Sequence, residues 1–118
     1  MATAKKRKLS GSVDGIPIEV VAIVSPGTPV HTAVAGTVPG TMDEIWLWAQ
    51  NNHTANVVLT IEFGSDGQEN SIIVTIPFKS GLVPVVPGLP LQNAAVVAAF
   101  ASVASVISLF GFVNTITD

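Results

Sequence analysis

The amino-acid sequence predicts an all-β domain: a compact β-sandwich or jelly-roll-like unit of about eight short strands, with an extended N-terminal arm. Two observations carry the prediction. Apolar residues recur at period 2 in one segment after another, and Gly or Pro punctuates the junctions at spacings of about 8–12 residues. No stretch shows a convincing helical period. Composition agrees: 118 residues make one domain, and with 48% hydrophobic and 11% charged residues at a mean hydropathy of +0.59 the chain has ample material for a core.

In chain order, residues 1–15 read as the arm, because nothing in them alternates and Asp14-Gly15 is a turn. The folded domain is expected over 16–118. Ile16, Ile18, Val20, Ala22 and Val24 share one face of a first strand, and Ser25-Pro26-Gly27 turns the chain. Thr28 to Val34 is a weaker strand. Asp43 to Gln50 follows, with Ile45, Leu47 and Ala49 on one face and Trp46 and Trp48 on the other. Ala55 to Phe63 alternates most cleanly, and across Gly64-Ser65-Asp66-Gly67 it forms a hairpin with Ser71 to Ile76. Leu82 to Val86 contains Pro84 and reads as an edge strand, followed by a rigid Pro87-Gly88-Leu89-Pro90 connection. A final hairpin is expected between Ala94 to Phe100 and Val106 to Asn114.

Charge is distributed unevenly. Lys5, Lys6, Arg7 and Lys8 supply four of the five basic residues, so this run carries +4 while residues 9–118 carry −7, for a net −3. Turn formers, not an apolar segment, follow the basic run, which argues against a signal peptide. Ala94 to Val113 has no charge and the length of a membrane span, but its β-branched content and its Ser102-Val103-Ala104-Ser105 break fit two strands better, so no membrane partner is expected.

The residues offer little for chemistry. There is no Cys, and His31 and His53 read as isolated surface or loop histidines, short of the three or four ligands that a zinc site needs. Adjacent Asp43 and Glu44 point to opposite faces of a strand and cannot form a carboxylate pair. The Asp66-Gly67-Gln68-Glu69 loop lacks the ligand spacing of a calcium motif, and neither a Gly-x-Ser-x-Gly elbow nor a phosphate-cradling loop occurs. Asn52-His53-Thr54 fits a glycosylation acceptor only in a secreted chain. The expectation is a protein that is not an enzyme and has no catalytic residue, metal, cofactor or small-molecule substrate.

Surfaces offer more. A sandwich gives each strand one core face, yet Trp46 and Trp48, and Phe100, Phe110 and Phe112 in the last two strands, load the second face with aromatic residues. Such faces are either folded over by loops or buried in an interface, and we expect an oligomer or shell interface there. The basic run can neutralise phosphates, solubilise the chain or grip an acidic neighbour. The acidic body makes nucleic acid the less expected partner.

Several segments together suggest a family. Lys8-Leu9-Ser10-Gly11-Ser12-Val13-Asp14-Gly15, His31-Thr32-Ala33, Asp43-Glu44-Ile45-Trp46-Leu47 and Ile76-Pro77-Phe78-Lys79-Ser80-Gly81 resemble small virion proteins of tailed bacteriophages, with the likeness running from about Leu9 to Thr117. The best fit is the capsid decoration, or cement, type. That resemblance implies a β-rich homotrimer on the outer capsid surface, bound to the major capsid protein, with Lys5, Lys6, Arg7 and Lys8 as capsid contacts. It also implies a place for the C-terminal hairpin near the trimer axis. Competing expectations are a tail, tail-tube or head-to-tail connector protein, and a nucleic-acid-binding module led by the basic arm.

Overall fold

The computed structural model describes residues 2–118; Met1, the first residue of the expected arm, lies outside them. Nine strands follow in order: β1 (Thr3–Lys8), β2 (Ile18–Val20), β3 (Thr28–Thr32), β4 (Met42–Asn51), β5 (Val57–Gly64), β6 (Ser71–Ile76), β7 (Val83–Leu91), β8 (Val96–Ala101) and β9 (Ile107–Thr117). Every pairing is antiparallel. One sheet orders β4 between β7 and β9, with β1 and β2 sharing the far edge of β9; the other runs β3-β8-β5-β6. From β2 onward, every connection except the β5–β6 hairpin crosses between the sheets. This pairing, 2-9-4-7 facing 3-8-5-6, is a jelly roll.

The core follows from alternation. On β4, Asp43, Ile45, Leu47, Ala49 and Asn51 are buried and point inward. Leu59 and Ile61 from β5, Val97, Ala99 and Ala101 from β8, and Ile107, Leu109 and Val113 from β9 meet them. Fully burying one such Leu or Ile contributes about 1.5–3 kcal/mol. Polar residues close both ends of β4. Asn51 Nδ2 donates to the carbonyls of Ala55 and Ile76 at 3.0 and 2.9 Å, and its Oδ1 accepts the His53 amide at 2.8 Å, so the inner Asn is satisfied.

The expected sandwich is present, with four local differences. First, the basic run is not a projecting arm: residues 3–8 form β1, paired with residues 112–117 of β9. Residues 9–17 then leave the sheet, insert Leu9 into the core and return as β2 on the same edge. Second, the strand expected over 16–24 shrinks to Ile18–Val20. The Thr28 hydroxyl accepts both the Val21 and Ala22 amides, folding the chain away, and Ile16 and Val24 stay exposed.

Third, the Pro87 to Pro90 connection is strand. β7 runs through it because it is an edge strand, where a missing N–H costs nothing, and it absorbs two register shifts against β4. Gly88 is the extra residue at one shift, with φ +76. A Cβ there would lie 2.7 Å from the Trp46 ring, so only glycine fits on both counts. Fourth, β8 and β9 are not a hairpin. They lie in different sheets, each between two neighbours, so backbone pairing flanks each of them on both edges.

Candidate interaction surfaces

Antiparallel partners share a face, so the register of β4 on β9 decides which side chains meet. Trp46 lies opposite Phe112 and Trp48 opposite Phe110, all pointing outward from the five-stranded sheet. Trp46, Trp48 and Phe112 form a cluster of nearly parallel rings, with centroids 6.0–6.3 Å apart and planes within 15–25°. All four aromatic residues are half-buried, and among the described residues no strand packs over them. Phe100 does not join them. It lies on β8 opposite Thr60, on the outer face of the other sheet.

Polar groups frame the aromatic face. Glu44 accepts the Trp46 indole N–H at 2.8 Å and the Asn114 amide at 3.1 Å through the same oxygen. Those bonds, Asn114 first and Trp46 second, hold its carboxyl below the usual carboxylate range against a small opposing effect of desolvation. On the other flank, the Lys6 ammonium sits 4.3 Å from the centroid of the Phe112 ring.

The basic run does not act as one patch. Its registers put Lys6 opposite Asn114 and Lys8 opposite Phe112, on the aromatic side, whereas Lys5 and Arg7 lie opposite Thr115 and Val113 and project to the other side. Lys8 Nζ also donates to the Ser12 carbonyl at 2.9 Å. All four stay exposed on an edge strand, where cations also discourage unwanted pairing.

His31 and Asp43 form a site that sequence reasoning missed. His31 is buried, not a surface histidine: its Nε2 lies 2.6 Å from Asp43 Oδ2. The Ser10 amide donates to Nδ1 at 2.9 Å, which fixes the proton on Nε2. Asp43 also accepts the Val34 amide at 3.1 Å and the Thr115 hydroxyl at 2.7 Å. The pair floors a cleft of about 430 Å³ whose rim includes Arg7, Lys8 and Thr32. Both ring nitrogens are thus engaged by partners within the protein. The cluster is a clasp: it ties the 9–17 excursion to β3, β4 and β9. Ser10, His31, Asp43 and Thr115 are far apart in sequence and form no recognisable motif, so only the fold brings them together.

No group of three or more His, Cys, Asp or Glu residues suited to a metal ion occurs among the described residues. No helix among them is long and apolar enough to cross a membrane. Compared with protein-family models, with curated proteins and with solved structures, the chain matches none of them.

Proposed function

We propose that the chain is a structural virion protein of the capsid decoration type, which associates with copies of itself as a trimer and stabilises the outer capsid lattice. The observation that carries this reading is the aromatic face. Trp46, Trp48, Phe110 and Phe112 gather on one sheet surface while the jelly-roll interior is already filled by other residues. Aromatic residues left over from a completed core suit an interface.

The mechanism is mass action. A protein that binds the assembled shell and not its free subunits stabilises the shell, and several copies joined in one oligomer bind more tightly than one alone. In this scheme the aromatic face meets a neighbouring copy or the major capsid protein. Lys6 and Lys8 extend that contact on the same side, and Lys5 and Arg7 reach a second neighbour on the other.

The experiment is to determine copy number and position in purified particles by quantitative gel and electron microscopy. Many copies spread over the outer shell are expected. A few copies at one vertex would replace this reading with a connector or tail component, and absence from particles would remove it.

A further inference from the structure

A jelly roll of two open sheets has four edges, each presenting backbone N–H and C=O groups that another strand can pair with. Three of them are blocked here. β7 carries Pro84, Pro87 and Pro90 and two register shifts. β1 carries Lys5, Lys6, Arg7 and Lys8, and β2, which shares that edge, is only three residues long and carries Glu19. β3 contains Pro29 and a register break, and the 9–17 excursion covers it, with the Gly11 amide donating to the Val30 carbonyl at 2.9 Å and the Ser10 hydroxyl accepting the Thr32 amide at 2.7 Å.

The fourth edge is β6, and it is unlike the others. Ser71-Ile72-Ile73-Val74-Thr75-Ile76 contains no proline and no charge, and its pairing with β5 runs without a shift. Its side chains remain open as well: Ile73 is 67% exposed, and the inward-pointing Ile72 and Val74 are only partly buried. A short β-branched strand of this kind, left unguarded, is a site for strand addition.

We propose that β6 pairs antiparallel with β6 of a second copy of this chain, joining the two four-stranded sheets into one continuous sheet. Two features select this occupant. An uncharged strand meets its own copy without repulsion, whereas β1 as partner would bring Lys5 and Arg7 to the core side of the seam. A two-fold contact of a strand with itself also closes, so it produces a discrete assembly and not a fibre. Register is constrained too. Keeping the core side of both sheets on one face requires even registers, so Ile73 lies opposite Ser71, Ile73 or Thr75 of the other copy.

This contact is separate from the aromatic face and does not depend on a virion role. The test compares the full chain with Ile73→Lys by light scattering across a concentration series. Amide exchange over residues 71–76 of the unsubstituted chain serves as a second measurement that needs no variant. The expected result is that Ile73→Lys halves the assembly mass, and that amides in β6 slow their exchange as concentration rises. Equal masses for the two proteins with concentration-independent exchange in β6 would overturn the proposal. So would a mass that falls with Trp48→Ala and not with Ile73→Lys, or slowed exchange in β1 together with β6, which marks a head-to-tail contact.

Discussion

The outer face of the β3-β8-β5-β6 sheet is partly closed by the chain itself, whereas the outer face of the β4-β9 sheet is left open. On the first, Glu62 points outward from β5 yet is only 3% exposed, because residues 25–27 lie over β8. Its two oxygens accept the Ser25 hydroxyl at 2.5 Å and the Gly27 amide at 2.7 Å, and Ala98, its neighbour on β8, is small enough to be crossed. Gly27 lies so close that a Cβ there would come within 2.7 Å of the Ala99 backbone. On the second face Glu44 is also outward, but it bonds only to Trp46 and Asn114 of its own sheet. Similar strands and similar carboxylates therefore serve different ends: one carboxylate ties down a loop, and the other trims the rim of an exposed aromatic surface.

Removing the tie should have the largest effect. Glu62→Ala leaves the Ser25 and Gly27 donors without their acceptor, and the expected loss is about 1–3 kcal/mol in urea unfolding. A loss near zero would mean that the loop is held by packing alone. On the open face, Trp48→Ala should cost less, about 0.5–1.5 kcal/mol from the ring pairs with Trp46 and Phe112, while abolishing whatever association that face supports. Equal loss of association from Glu62→Ala would erase the distinction between the faces.

The smallest effect concerns Glu44. Its carboxyl titrates below the ordinary carboxylate range in the folded chain, so its contribution is present above the unfolded value and disappears as pH falls through the folded one. Tryptophan fluorescence should report a small transition in that acidic window, as the Trp46 indole loses an ionised acceptor. Glu44→Gln should remove it.

The parts legible in the sequence were those where one face of a strand is buried and the other is not, or where a turn is marked. β5 and β6 were readable from Val57, Leu59 and Ile61 and from the glycines that flank their turn, and β4 from its two alternating faces. β1 was not, because Lys5 to Lys8 carry no apolar alternation and become a strand only through pairing with β9. β8 and β9 were read as a hairpin because periodicity identifies a strand but not the sheet it enters. Of the surface, Trp46, Trp48, Phe110 and Phe112 gather together, while Phe100, also outward, lies on the other sheet because β8 and β9 are not a hairpin. The His31–Asp43 clasp could not be read, since nothing local tells a histidine in one sheet that its partner lies in the other.

The position of β9 bears on how the chain reaches this fold during synthesis. Residues 107–117 pair with β4 along one edge and with β1 and β2 along the other, so the strand that completes the larger sheet is the last of the nine to leave the ribosome. Until it emerges, β1 and β2 have no partner and the inner faces of Ile45, Leu47 and Leu59 lack the layer formed by Ile107, Leu109 and Val113. Closure of the larger sheet is therefore dominated by contacts between residues far apart in sequence, the kind whose loop-closure entropy makes folding slow.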